Sequence, residues 1–193
     1  MVSHIVVGLG NPGAGYEHTR HNVGFFVIDE LVGRWKTRLR TGEGDYLRGL
    51  AHFQGHDVVI AKPLTYMNNS GIAVRDLIER NALSPDRLLV ICDDFALPLG
   101  TLRVRSQGSD GGHNGLASVI MELGTDVFAR LRCGIQHDEM PPKEMMADFV
   151  LSPFGETEWD AVRTMTLRAA DAVQEFVVSG IDRTMNIYNT NLQ

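Results

Sequence analysis

His21, Asp93 and a scatter of carboxamides are the side chains of this sequence whose types could do chemistry. They fall in four polar stretches, each following an apolar run. The first holds Asn11, Tyr16, Arg20, His21 and Asn22, and the second, PLTYMNNSG, holds Tyr66, Asn68 and Asn69. The third is CDDFALPLG, with Asp93 and Asp94, and the fourth, GGHNG, carries His113 and Asn114. Taken singly, each has a plain role: an asparagine in a glycine-rich loop forms a turn, and an aspartate after a strand caps a helix. Their common place, at the carboxyl edge of one sheet, points to a site, because open α/β sheets bind ligands there. A neutral imidazole takes a proton from water, and an aspartate fixes its tautomer and stabilises the imidazolium. Carboxamide N–H groups can then bond an oxyanion. That equipment suits hydrolysis of an ester or similarly activated acyl bond.

Other chemistries lack their parts. There is no G-x-S-x-G elbow for a serine nucleophile. Cys92 and Cys133 lie inside apolar runs, LLVICDD and RLRCGI, and read as buried thiols. His18 and His21 are three apart, but no H-E-x-x-H or C-x-x-C accompanies them, so no metal is expected. Gly8-Leu-Gly-Asn-Pro-Gly13 matches the dinucleotide pattern G-x-G-x-x-G. In such a site the helix follows the last glycine at once. Here AGYEHTRHN intervenes, and Asp29 and Glu30 would lie on a helix and not at the end of a second strand. A nucleotide-dependent oxidoreductase fails on that spacing.

The elements that would hold these residues interleave along the chain. Residues 4–9 read as a buried first strand. Val23, Phe26, Val27, Leu31 and Trp35 recur at helical spacing over 22–39. Residues 45–53 and 56–63 read as strands joined at Gln54-Gly55, and 71–83 as a helix closed by Ser84-Pro85-Asp86. Strands are expected at 87–94, 101–106 and 129–135, and a long amphipathic helix at 158–180, with a further turn after it. Residues 137–149 carry two prolines and mixed charge, and read as a loop or mobile lid. The expected fold class is α/β: a single domain over 1–193, with a mixed, largely parallel twisted sheet covered by helices on both faces.

A chain of 193 residues buries a core without disulfides or metal. Its start lacks a basic n-region and it has no run of 18 apolar residues, so the cytoplasm is the expected compartment. The net charge of -6 argues against general nucleic-acid binding. The cations are grouped, however. RWKTRLR, Arg34 to Arg40, holds four and no acid, and Arg103/Arg105 and Arg130/Arg132 form two pairs. Acids gather at Asp138–Glu144 and Glu156–Asp160. Solvated faces are the plain reading of such groups, and a local basic patch stays open.

VGLGNPGAGYEHTRHNVGF, KPLTYMNNSG, CDDFALPLG, GGHNGL and FARLRCGI, in that order over about residues 4–190, resemble the bacterial peptidyl-tRNA hydrolase family. DFVLSPF resembles the stretch after that family's lid. The resemblance implies a monomeric α/β enzyme without a cofactor. It implies cleavage of the ester between a peptide and the 3′-terminal ribose of tRNA, which recycles tRNA from peptidyl-tRNA dropped by ribosomes. It further implies His21 as the general base, Asp93 as the residue stabilising the histidine's working form, and Asn11 as the residue that tells blocked from free aminoacyl-tRNA. By the same resemblance Asn68 and Asn114 are substrate-binding carboxamides, Tyr16 and Tyr66 are aromatic tRNA contacts, and His113 supports the cleft. Arg105 and Arg132 fall where the family places basic groups for the tRNA 5′-phosphate. Arg103, Arg130 and the Arg34–Arg40 segment would complete a phosphate patch. The GLGNPG loop would position an asparagine and let the backbone approach the substrate.

The partner so implied is the acceptor end and 5′-phosphate region of peptidyl-tRNA, with no membrane involved. Departures bear on the cleft and the lid: Ala96 stands where the family often has a second aspartate, and GIQHDEMPP replaces the usual stretch after the last strand. The Asn68-Asn69 pair is resolved toward Asn68 by its spacing to Ser70-Gly71. The alternative is a catalytically silent RNA-binding relative of the same fold, against which the retained set of His21, Asp93 and Asn11 stands.

Overall fold

The computed structural model describes residues 1–137 and 139–189. In chain order its strands are β1 (His4–Gly8), β2 (Arg40–Thr41), β3 (Tyr46–Phe53), β4 (His56–Pro63), β5 (Leu88–Pro98), β6 (Leu102–Arg105) and β7 (Ala129–Gln136). The helices are α1 (Val23–Arg34), α2 (Ser70–Arg80), α3 (Asn114–Leu123), α4 (Met146–Leu151), α5 (Trp159–Ser179) and α6 (Ile181–Tyr188). The strands form one sheet in the order β2-β3-β4-β1-β5-β7-β6. Its centre is parallel, β1 pairing with β4 and β5, and β5 with β7. The antiparallel pairs β2–β3, β3–β4 and β6–β7 complete it at the two sides.

Alternation along the central strands explains the two layers of core. Val6, Leu89, Ile91 and Leu131 face α1 and α5, where Val27, Leu31, Val173 and Phe176 cover them. Ile5, Val7, Val90 and Cys92 face the other way, toward Val74, Leu77, Leu116 and Val119 of α2 and α3. Both cysteines are fully buried and free, and burial pushes their thiols up, as the apolar runs suggested.

Gly8 and Gly24 let α1 lie directly on β1, since a Cβ at Gly8 would overlap the Gly24 carbonyl. A Cβ at Gly10 would meet the Phe25 ring at 2.7 Å. Those two glycines of GLGNPG therefore admit a helix, which corrects the expectation that they open the backbone to substrate. Gly13 differs: its φ of 106° is a conformation glycine adopts without strain.

Four expectations are revised. The helix over 22–39 ends at Arg34, because Lys36 takes a left-handed φ of 50° and turns the chain out. Strand β5 runs past Asp94 to Pro98 through a register shift. Within 137–149, a 3₁₀ turn at Lys143–Met145 leads into α4, so the later part of this loop is helical; Asp138 lies outside the described residues. The turn expected after 180 is a full helix, α6.

The fourth polar loop also reaches the carboxyl edge by a different route. It follows β6, whose antiparallel pairing aims it at the opposite edge. The chain from Arg105 to Asn114 climbs back along β7 and delivers His113. Arg130 holds this return. Its buried guanidinium donates to the carbonyls of Gly108, Ser109 (3.2 Å) and Asp126 (2.6 Å), and lies 4.3 Å from the Phe128 ring. Arg130 is thus committed inside the protein and is withdrawn from the phosphate patch. Arg34 is also committed, bonded to Glu30 (2.6 Å) and Asp171 (2.5 Å).

Candidate active site

The carboxyl ends of β1 and β5 bring His21 to Asp93. His21 sits in a 3₁₀ turn, Arg20–Asn22, which hands directly into α1. Asp93 is an inner residue of β5, fully buried. His21 Nδ1 lies 2.7 Å from Asp93 Oδ1. His113 Nε2 lies 3.0 Å from the same oxygen, and the two rings are 4.9 Å apart.

The tautomers follow from the second nitrogens. His113 caps α3: its Nδ1 accepts from the Leu116 backbone N–H at 3.2 Å. A ring that accepts at Nδ1 carries its proton at Nε2, so His113 donates to Asp93. His21 donates to Asp93 through Nδ1, which leaves Nε2 with its lone pair in the cleft. Burial lowers the pKa of His21, but the charge of Asp93 and the hydrogen bond to it outweigh burial, and the net shift is upward from 6.5. Burial raises the Asp93 carboxyl, and again the two histidines win, holding it well below the usual carboxylate range. Asp93 Oδ2 is buried without a hydrogen-bond partner among the described residues, so Asp93's negative charge is only partly satisfied and bears on the imidazoles.

His21, Asp93 and His113 stand close enough together to suggest a metal triad. The donors do not fit one. A metal at His113 Nε2 would need the proton on Nδ1, which faces the Leu116 N–H.

Asn11 is held more tightly than any sequence pattern suggests. Its Oδ1 accepts from the Met67 N–H at 2.8 Å. Its own backbone N–H and carbonyl are both bonded by the Asn22 carboxamide, at 2.8 and 3.0 Å. With Oδ1 occupied, Asn11 presents its Nδ2 donors. Asn11, His21, Asn68 and Asn114 line one cleft of about 320 Å³, with Tyr16 and Tyr66 on its rim and Ala147, Val150 and Leu151 as its wall. Asn69 is not among the lining residues. The Tyr16 and Tyr66 rings meet edge to face at 6.4 Å. Tyr66 has φ 57° and ψ 161°, a strained backbone costing about 1–3 kcal/mol, and the residue is 56% exposed.

Of the basic positions, Arg105 is exposed on β6, while Arg132 is tethered through Nε to Asp94 Oδ2 at 3.0 Å. Asp94 also accepts from the Ala96 N–H at 2.9 Å, so the second acid of CDD organises the β5 bend.

One part of the site has no motif of its own. Arg20, beside the candidate base, makes a buried fork onto Glu158 at 2.9 and 2.7 Å. Its other terminal nitrogen donates to the Pro153 carbonyl and to Ser152 Oγ (3.2 Å), and its guanidinium lies between the Phe149 and Phe154 rings. Arg20 therefore staples the His21 turn to the segment that follows α4. Nothing in the sequence marks Arg20 and Glu158 as partners; the hint was an arginine among the polar residues of TRHN.

Known proteins resemble this chain over nearly its whole length. The family model described as peptidyl-tRNA hydrolase matches residues 5–193. The peptidyl-tRNA hydrolase of Geobacillus kaustophilus is 48% identical, over 96% of this chain and 98% of its own. That of Salinibacter ruber is 49% identical, over 96% and 97%. Among solved structures, peptidyl-tRNA hydrolase from Acinetobacter baumannii superposes with a TM-score of 0.90 at 32% identity, covering 98% of this chain and 97% of that one.

Proposed function

The chain belongs to the peptidyl-tRNA hydrolase family and hydrolyses peptidyl-tRNA, and on that premise we propose that His21 activates the attacking water. The observation that carries this is the 2.7 Å bond from His21 Nδ1 to buried Asp93, which leaves Nε2 as the base in the cleft. Water is held at Nε2 beside the ester that joins the peptide's last carbonyl to the 3′-terminal ribose. As the water oxygen bonds that carbon, its proton passes to Nε2, and Asp93 stabilises the imidazolium. Asn68 and Asn114 donate to the oxyanion. The carbon–ribose oxygen bond then breaks, and the imidazolium returns its proton to the leaving 3′-oxygen. The products are a peptide carboxylate and a tRNA with a free 3′-hydroxyl.

Asn11 supplies the selectivity. Its Nδ2–H donates to the carbonyl that acylates the last residue's nitrogen in a peptidyl-tRNA. A free aminoacyl-tRNA offers a cationic ammonium there, which cannot accept a hydrogen bond. The support is the fixed orientation of the carboxamide, whose Oδ1 is already taken by Met67. Tyr16 and Tyr66 stack on the bases of the single-stranded acceptor end, a sequence-tolerant contact. Arg105 and Arg132 receive the 5′-phosphate, and His113 holds Asp93. Residues 137–149 close over the acceptor end as a lid, with α4 as the cleft wall. The enzyme works as a monomer in the cytoplasm.

The test compares N-acetyl-aminoacyl-tRNA with the unblocked aminoacyl-tRNA, using wild type and Asn11→Ala. Wild type cleaves the blocked substrate far faster, and Asn11→Ala narrows the ratio mainly by slowing the blocked one. Equal ratios in both proteins would remove Asn11 from the selection step.

A further inference from the structure

A groove at the β2–β3 end of the sheet is unused by this chemistry. It has a volume of about 740 Å³, and Lys36, Arg38, Arg40 and Arg48 line it together, with no carboxylate in its lining. All four cations are exposed. None makes an ion pair among the described residues, whereas Glu43, a nearby acid in the sequence, is engaged by Arg80 at 2.6 Å. Arg40 and Arg48 are direct cross-strand partners. Like charges placed so oppose each other, at a cost of up to about 1 kcal/mol. Protecting an edge strand needs only scattered charge. Four cations converging on one concavity, in a chain of net charge -6, exceed that need.

We propose that this groove is a second RNA-binding site, taking the phosphate backbone of an RNA duplex other than the acceptor end being cleaved. Guanidinium groups suit phosphate oxygens, which they bind through paired N–H donors. Arg38 and Arg40, two residues apart where the chain enters β2, spread their charge along a chain of phosphates instead of focusing it on one. The groove and the catalytic cleft also lie apart. Strand β3 is separated from β1, whose carboxyl end leads into the cleft, by β4, roughly 10 Å across the sheet at the usual strand spacing, and the groove takes in Val2, at the amino end of β1. A tRNA that enters the cleft from the β6–β7 side leaves the groove free. The choice of RNA among polyanions rests on the chain's being a peptidyl-tRNA hydrolase: an acidic enzyme with an RNA substrate is repelled by RNA overall, and a local cationic patch offsets this.

The test uses a blunt RNA duplex with no single-stranded 3′ end. Its binding is followed by fluorescence anisotropy between 50 and 200 mM salt, as about two points of a log–log plot. Wild type is compared with the fourfold variant Lys36→Gln, Arg38→Gln, Arg40→Gln, Arg48→Gln, and the duplex is also added to cleavage of N-acetyl-aminoacyl-tRNA. Wild type binds the duplex with a slope of about -3, and the variant binds it at least about tenfold more weakly with a shallower slope. Both cleave with the same kcat, and the duplex leaves KM unchanged. The proposal is overturned if the variant binds the duplex as wild type does, or if the duplex competes with substrate. It is equally overturned if the four cations bind vesicles of anionic phospholipid and not the duplex. Failure of both proteins to cleave would count against the hydrolase reading, while the duplex arm would still judge the groove.

Discussion

Two imidazoles share one oxygen of Asp93, and their second nitrogens differ in what they hold. His113 spends its lone pair on the N-terminus of α3, whereas His21 bonds Asp93 through Nδ1 and lines the cleft. The pKa of His21 is raised, so with His21 as the proposed base kcat/KM is expected to fall as pH drops through a midpoint above 6.5. In Asp93→Asn both causes that raise the pKa are gone and burial remains. The midpoint then moves below 6.5, and the rate falls by about 10²–10⁴. A pH–rate profile of the variant with an unmoved midpoint would contradict the pairing. The same shifts stabilise the fold. Protonation of His21 adds stability that is complete below 6.5 and is lost as pH rises through the raised value. Ionised Asp93 adds stability above 3.8 that is lost as pH falls toward its depressed value. His21, Asp93, Asn11 and Asn114 could be singled out in the sequence, since each stands in a recognisable loop, and the fold brings them together at one cleft. The His113 tautomer and the Asn11 carboxamide orientation were out of reach, because they depend on the Leu116 and Met67 backbone N–H groups, which carry no sequence signal.

Between elements, the Arg20–Glu158 pair is the joint that matters most to the site. Each buried ion costs several kcal/mol to desolvate, and the fork, the Ser152 hydroxyl and the Pro153 carbonyl offset this. Glu158→Gln leaves Arg20 with an uncompensated charge and destabilises the protein by about 3–5 kcal/mol, measured by denaturant unfolding. Removing both charges, in Arg20→Met with Glu158→Leu, recovers much of that stability. kcat stays low in the double variant, because the turn that carries His21 has lost its staple. A double variant with wild-type kcat would make the pair purely structural. Strands 45–53 and 56–63 were legible to within a residue, because each is an apolar run punctuated by turn residues. The direction of β6 was not legible, since alternation with period two reads the same both ways. The helix α4 was missed because six residues after a proline pair show too little periodicity.

Across the whole molecule, charge is arranged by location, against a net of -6. Arg130 and Arg34 look like phosphate ligands in the sequence, yet one is enclosed by carbonyls and the other is paired with acids. No one-dimensional pattern separates them from Arg105, because only the fold decides which arginine meets carbonyl oxygen and which meets water. With few phosphate contacts near the cleft, KM for N-acetyl-aminoacyl-tRNA rises only modestly between 50 and 200 mM salt, by about tenfold or less. A KM indifferent to salt would remove Arg105 and Arg132 from substrate binding. No helix among the described residues is long and apolar enough to cross a membrane.

The most direct test of the account is single-turnover cleavage of N-acetyl-aminoacyl-tRNA by wild type and His21→Ala, in EDTA, with circular dichroism confirming the fold of both. His21 is buried, and its loss leaves Asp93 still bonded to His113, so the variant is expected to fold. The account predicts rapid release of tRNA by wild type and a rate at least about 10²-fold lower in the variant. A folded His21→Ala enzyme that cleaves near the wild-type rate would contradict it.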